Sequence, residues 1–144
     1  MEIVKTKDKS TCTLLNKLIF PNQPWSISHD EALWLVKDGD GVAVGFAACK
    51  PVSGEDGVLY LTRAGLLEEF RGKGIQKKLI EKRLEWGRKS NYNLSITYTS
   101  RFNAPSFANL QKCGFKLYIP DNRWAGKKML YWRKKLNSNN NKRK

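Results

Sequence analysis

The sequence predicts an α/β fold, a single domain in which a mixed sheet carries helices on both faces. Three observations lead there. The chain has 144 residues, 40% of them hydrophobic and 11% aromatic, which is enough for one buried core and too short for two independent ones. Strand-like segments stand before, between and after two late helical segments, the order expected of a layered domain. From about Gly72 to Ser90, Ile75, Leu79, Ile80, Leu84 and Trp86 fall on one side of a helical wheel. Lys77, Lys78, Glu81, Glu85, Arg88 and Lys89 fall on the other, the pattern of a helix laid on a sheet.

The elements follow in order. Residues 2 to 5 open as a short strand, and Cys12 to Phe20 place Leu14, Leu15, Leu18 and Ile19 at helical spacing behind Ser10 and Thr11 as caps, until Pro21 and Pro24 end the helix. Leu33 to Val36 and Val42 to Cys49 read as strands flanking Asp38-Gly39-Asp40-Gly41. That tetrapeptide suits a hairpin turn; a calcium loop would need further oxygen ligands downstream. Pro51 to Gly57 is a turn-rich loop, and Val58 to Leu67 a longer strand leading into the amphipathic helix. Leu94 to Thr99 is rich in β-branched and aromatic residues and reads as a strand. Ala104 to Cys113 reads as a short helix ended by Gly114. Phe115 to Ile119 and Met129 to Arg133 form a last pair of strands, separated by a loop that begins at Pro120. No internal repeat is present. The domain is expected over residues 1–136, with 137–144 a basic, disordered tail that lacks any apolar residue.

Charge and cysteine usage narrow the function classes. Twenty-seven Lys and Arg against 13 Asp and Glu give a net charge of +14, a field that draws in anions such as nucleic acid, an acidic protein surface or a polyphosphate, or that serves solubility alone. Cys12, Cys49 and Cys113 are widely spaced and never in a Cys-x-x-Cys pair, which argues against a disulfide framework or a zinc site. His29 has no second imidazole or cysteine nearby to share a metal, so no metal is expected. The first residues lack a basic segment followed by an apolar run, and no stretch is long and apolar enough to span a bilayer. These features predict a soluble cytoplasmic protein with no membrane partner.

Chemistry concentrates at Leu66-Leu67-Glu68-Glu69-Phe70-Arg71-Gly72-Lys73-Gly74-Ile75-Gln76, where a strand meets a helix through two glycines and two cations. Glycine lets backbone N–H groups approach a ligand with no Cβ in the way, and the first turn of a helix has N–H groups without internal partners. Such a place suits phosphate. It is not a P-loop, because no Gly-Lys-Ser or Gly-Lys-Thr follows, and not a dinucleotide Gly-x-Gly-x-x-Gly, because position 77 is Lys. A second segment, Asn103 to Phe115, reads as a helix with Asn103 as N-cap, Pro105 in its first turn and Gly114 as a left-handed C-cap.

Together these segments resemble the GNAT superfamily of N-acetyltransferases. Arg71-Gly72-Lys73-Gly74 matches the family's Arg/Gln-x-x-Gly-x-Gly/Ala loop up to its last position, and Asn103 with Cys113-Gly114-Phe115 matches the later Asn…Gly-Phe segment. The resemblance covers roughly Val42 to Phe115 and implies a GNAT-like fold with a mostly antiparallel sheet. It also implies binding of acetyl-coenzyme A (acetyl-CoA) as co-substrate and transfer of its acetyl group to a primary amine. Leu66 and Leu67 would lend backbone groups to the acetyl carbonyl and pantetheine arm, with the Leu66 N–H as oxyanion donor. The N–H groups from Arg71 through Gly72, Lys73, Gly74 and Ile75 to Gln76 would hold the pyrophosphate, and Asn103 and Ser106 would contact the pantetheine. Two positions depart from the pattern. Gln76 stands where Gly or Ala is usual, and Leu110 stands where many members carry a tyrosine that protonates the leaving thiolate. Tyr118, Ser106 or water are the candidates for that proton. Glu68 and Glu69 read as solvated turn residues, and Trp25, Trp34, Trp124 and Trp132 as core residues more than as an acceptor cleft or base-stacking set. The positive charge disfavours small polyamines as acceptors. It favours a lysine or N-terminus on an acidic partner protein, or an amine linked to RNA, as on aminoacyl-tRNA. The competing reading is a catalytically weak module that binds acetyl-CoA or nucleic acid.

Overall fold

Strands Glu2–Thr6 (β1), Ala32–Lys37 (β2), Ala43–Pro51 (β3), Val58–Leu66 (β4), Leu94–Ser100 (β5), Lys116–Tyr118 (β6) and Met129–Lys135 (β7) alternate with helices Lys9–Ile19 (α1), Ile75–Lys89 (α2) and Ala104–Lys112 (α3). This is the computed structural model of the chain, and it describes residues 1–136; the tail expected at 137–144 lies outside the described residues. The strands form one sheet in the order β1-β2-β3-β4-β5-β7-β6. Pairs β1/β2, β2/β3, β5/β7 and β6/β7 are antiparallel and β4/β5 is parallel, so the sheet is mixed and mostly antiparallel as expected. Two compact units divide the chain: Met1–Lys50 with Thr62–Leu79, and Pro51–Leu61 with the chain from Ile80 onward.

In the first unit, Cys12 and Leu15 of α1 pack on Leu33, Leu35, Phe46 and Ala48, with Trp25 stacked on Phe46 at 5.2 Å. The residues Ala32 to Val36 are buried without interruption, so both faces of β2 are covered. The helix starts a turn earlier than its apolar run. Its N-cap is Asp8, not Ser10 or Thr11, because two carboxylate oxygens serve at once: Oδ1 accepts from the Thr11 N–H at 3.0 Å and Oδ2 from the Thr11 hydroxyl at 2.6 Å. Those bonds hold the Asp8 carboxyl below the usual carboxylate range. The buried stripe is Cys12, Leu15 and Asn16, while Leu14 and Leu18 face out. Asn16 earns its burial by bonding: Arg63 Nη1 donates to its Oδ1 at 2.9 Å, and its own Nδ2 donates to the Gln23 carbonyl at 3.0 Å. The β2–β3 connection is the expected turn. Asp38 Oδ1 accepts from the Asp40 and Val42 N–H groups, each at 2.9 Å, so this carboxylate is spent on the backbone.

In the second unit, β4 pairs with β5 at three positions only, Val58↔Leu94, Leu59↔Ser95 and Tyr60↔Ile96. Past them the Thr97 hydroxyl donates to the Leu61 carbonyl at 2.9 Å, a side chain standing where a ladder bond would be. Gly87 lets α2 approach this sheet closely, since a Cβ there would lie 2.8 Å from Leu59 Cδ2. Phe107 of α3 packs on Trp132 at 5.7 Å. Register places Leu59, Ser95, Thr97 and Trp132 on one face, so α2 and α3 both cover that side. The last hairpin is shorter on one arm than the expected Phe115 to Ile119. Phe115 is taken into the C-cap of α3, its N–H donating to the Leu110 carbonyl at 2.9 Å while the Gly114 N–H donates to Gln111 at 3.0 Å. Gly114 has φ +89°, the left-handed residue that this six-to-one, five-to-two arrangement requires.

None of the three cysteines is in a disulfide; Cys12 and Cys49 are fully buried and Cys113 is half-buried. Burial, with Asp8 and Glu31 adding to it, pushes the Cys12 thiol up to about 11. Labelling the native protein with a thiol reagent at neutral pH is therefore expected to modify Cys113 alone, and all three after denaturation. Fast modification of Cys12 in the native state would contradict the packing of α1.

Candidate active site

The turn from β4 to α2 is built by local hydrogen bonds that use up its first residues and leave the later ones open. Leu66 is buried at the strand end, and its carbonyl accepts from Arg71 Nε at 3.1 Å. The Leu67 N–H donates to the Val44 carbonyl and its own carbonyl accepts from Phe70, both at 2.9 Å. Glu68–Phe70 is a single 3₁₀ turn, closed by the Arg71 N–H donating to the Glu68 carbonyl at 3.1 Å. The resemblance implies that backbone groups of Leu67 and the Arg71 amide face a ligand. The 3₁₀ turn, which is not visible as a periodicity, claims the Arg71 amide, and the carbonyl of Val44 claims that of Leu67.

Beyond Arg71 the backbone changes hand. Gly72 and Gly74 have φ +76° and +81°, which is why α2 begins at Ile75 and not at Gly72 as its hydrophobic wheel suggests. The first carbonyl taken up by the helix is that of Gly74, bonded by the Lys78 N–H at 3.3 Å. No protein acceptor stands opposite the N–H groups of Gly72, Lys73, Gly74, Ile75 and Gln76 among the described residues. Nothing lies within 4 Å of where a Cβ on Gly72 or Gly74 would stand. Left-handed residues alternating with ordinary ones turn successive amides toward one concave side, a shape that takes an anion. Arg71 and Lys73 are exposed beside it, the Lys73 ammonium lies 6.0 Å from the Phe70 ring, and no acid occupies the first turn of α2. Geometry and charge both fit a diphosphate, the group by which coenzyme A would be held.

In the second unit, Asn103 is the N-cap of α3 as expected, its Oδ1 accepting from the Ser106 N–H at 3.2 Å, with Pro105 in the first turn. Leu110 is buried at the far end, its carbonyl inside the C-cap, so packing explains the residue that stands in the tyrosine position. Tyr118 lies on β6 with the Arg133 guanidinium 4.6 Å from its ring and Tyr131 at 6.4 Å. Burial pushes its phenol above the ordinary tyrosine value, partly offset by a hydrogen bond from Trp124 and the charge of Arg133. The phenol therefore keeps its proton across the physiological range.

Two features depart from the sequence expectations, one with no signal in the sequence and one, a tryptophan expected in the core, that is partly exposed. Arg63 clamps the segment after α1, with Nη1 bonded to Asn16 and to the Gln23 carbonyl, each at 2.9 Å, and its guanidinium over Phe20 and Trp25. Beside it, the Thr62 hydroxyl donates to Glu31 Oε2 at 2.8 Å. The other is Trp124. Trp34 and Trp132 are buried and Trp25 packs on Phe46, as core residues should, but Trp124 is 38% exposed and caps three tyrosines. Contacts such as Arg63 with Asn16 or Trp124 with Tyr60, between residues far apart in the chain, leave no mark in local spacing.

Among the described residues no helix is long and apolar enough to cross a membrane, and no cluster of three metal-binding side chains occurs. The sequence profile of the acetyltransferase (GNAT) family matches residues 6–115. An uncharacterized N-acetyltransferase of Archaeoglobus fulgidus is 35% identical over 83 residues, which cover 55% of this chain and 56% of that protein. The match thus spans little more than half of the relative's length. Among solved structures, the IAA acetyltransferase from Bacillus cereus superposes with a TM-score of 0.74 at 17% identity, covering 94% of this chain and 99% of the other. The ribosomal-protein-S18-alanine N-acetyltransferase from Escherichia coli gives 0.73 at 14% identity, over 94% of each chain. A Bacillus subtilis acetyltransferase in complex with CoA gives 0.71 at 18% identity, over 94% and 98%. At such identities the structural likeness establishes a shared fold. With the profile matched over most of its length, the chain belongs to the GNAT family of acetyltransferases.

Proposed function

We propose that the chain transfers an acetyl group from acetyl-CoA to a primary amine carried by an acidic macromolecule, either a protein lysine or N-terminus or an RNA-linked amine. One observation carries the first half of this reading: five consecutive amides, Gly72 to Gln76, without a protein acceptor among the described residues and accompanied by the side chains of Arg71 and Lys73. These residues would hold the diphosphate, with the dipole of α2 adding ~0.3–1 kcal/mol of the same sign. Asn103 and Ser106 would hold the pantetheine arm. The bound thioester supplies an activated acyl group and a tolerable leaving thiolate. The Leu66 N–H is the candidate donor toward the oxygen on which charge develops, a contact typically worth ~2.7–4 kcal/mol. The net charge of +14 supports an acidic acceptor, and three cysteines outside any disulfide fit a reducing compartment such as the cytoplasm.

Tyr118 is the candidate general acid, with Ser106 or water as the other sources of the proton. A general acid must be protonated to act, so with its phenol above the ordinary tyrosine value the corresponding limb of the kcat profile falls only above about pH 10. Tyr118→Phe is expected to lower kcat by roughly 10²–10⁴ while the acetyl-CoA affinity stays unchanged. An unchanged kcat removes Tyr118 from the chemistry. The reading as a whole is tested by calorimetric titration of acetyl-CoA together with release of free CoA in the presence of protein, peptide and aminoacyl-tRNA acceptors. The buried Leu110, which has no proton to give, favours one competing reading, a module that binds acetyl-CoA without turning it over. Tight binding with no CoA release on any acceptor would establish that module instead.

A further inference from the structure

The sheet face of the second unit opposite α2 and α3 is neither plainly apolar nor plainly polar. Side chains alternate along a strand, so register decides which of them share a side. Tyr98 pairs with Tyr131, which pairs with Tyr118, and Tyr60 stands beside Tyr98 from β4. Tyrosines from four strands therefore form a row across the sheet. Trp124, from the β6–β7 connection, lies edge-on to Tyr60, Tyr98 and Tyr131 at 5.1, 5.3 and 5.2 Å. The connection is fastened there by Tyr131, whose hydroxyl accepts from the Ala125 N–H at 2.9 Å and donates to the Gly126 carbonyl at 2.8 Å. Tyr98 and Trp124 remain 36% and 38% exposed.

Cations stand on the same face. Lys116 pairs with Arg133 one step along the strands from the tyrosine row, and Lys135 follows two residues on. All three are exposed, and none has a carboxylate partner among the described residues. Residues 94–136 carry nine lysines and arginines against a single acid, Asp121. A face selected for solubility alone needs the charges and not the half-open rings, and an apolar partner would meet uncompensated cations.

We propose that this face docks single-stranded RNA, with unpaired bases stacking on Tyr98 and Trp124 and phosphates meeting Lys116, Arg133 and Lys135. Exposed aromatics on a β-sheet flanked by cations offer a π-face to a base and a charge to its backbone in one surface, which an acidic protein does not use and a duplex, with its bases already stacked, does not reach. Unpaired bases are the standing condition of RNA loops and ends. The inference stands without acetyl-CoA, and it also gives the RNA-linked acceptor considered above a place to bind.

The test is binding of a fluorescent uridine oligomer to the full chain, titrated at several salt concentrations without acetyl-CoA. The expected log–log slope is about −0.7 per engaged cation, hence roughly −2 or steeper for the three. Tyr98→Ala and Trp124→Ala are each expected to weaken binding roughly tenfold or more, and Lys116→Glu with Arg133→Glu to do the same through two exposed positions, of which Arg133 also lies over the Tyr118 ring. Polyglutamate and duplex RNA should compete poorly. Competition by polyglutamate as strong as by RNA, with Tyr98→Ala without effect, would assign the face to an acidic protein; equal competition by duplex RNA, or no oligomer binding at all, would overturn the proposal. Gly74→Asp serves to separate the two readings, since it should remove acetyl-CoA binding and leave RNA binding as it was.

Discussion

Replacing Gly74 by aspartate should weaken acetyl-CoA binding by about a thousandfold, the largest effect on cofactor affinity expected of any single change in this chain. The new carboxylate would stand among the amides of Gly72 to Gln76, on the side where a diphosphate would lie. Like charges ~4 Å apart repel by about 4 kcal/mol at an effective dielectric near 20, and tenfold in affinity corresponds to about 1.4 kcal/mol. The backbone contributes separately. At φ +81° any Cβ costs about 1–2 kcal/mol, but nothing lies within 4 Å to clash with it, so the protein should still fold. Gly74→Ala isolates that part: it should lose about 1–2 kcal/mol of stability in urea and under tenfold in affinity. Calorimetry that finds Gly74→Asp as tight as the parent would show that the diphosphate is held elsewhere, whatever the family.

What could be read from the sequence was whatever a residue does to its own backbone. Asn103 caps α3 because an amide oxygen one residue before a helix can reach the N–H three residues on, and Gly114 ends it because a left-handed turn costs glycine nothing; both are visible in a short window. The amide cradle was legible for the same reason. Its limits were not. Asp8 lies outside the apolar run of α1, so spacing pointed to Ser10 and Thr11, whereas the helix takes the cap with the most acceptor capacity. The Arg71 amide looked available because nothing in the sequence announces a 3₁₀ turn, and nothing in it announces the reach of the Val44 carbonyl to Leu67 across from β3. Least legible of all was the tyrosine row. Tyr60, Tyr98, Tyr118 and Tyr131 come from four strands whose register is settled by pairing partners far away in the chain, and a shift of one residue in any strand would send its tyrosine to the opposite face.

That dependence on register gives the second large prediction, a contrast between two tryptophans that the sequence treats alike. Trp132 is 1% exposed, donates from Nε1 to the Thr99 hydroxyl at 3.0 Å and packs against Phe107 of α3. Trp132→Ala removes a large buried ring, leaves Thr99 without its donor and takes away the surface on which α3 sits, and should cost about 3–5 kcal/mol in urea denaturation. Trp124 belongs to the opposite side and is partly in water. Trp124→Ala should cost no more than about 1–2 kcal/mol, since burying an aromatic side chain in full is worth ~1.5–3 kcal/mol and this one is not fully buried. If the register is right, stability and RNA affinity separate, Trp132→Ala striking the first and Trp124→Ala the second. Equal destabilisation by the two changes would mean that both rings serve a common core, and the face assigned to RNA would then be an ordinary interior.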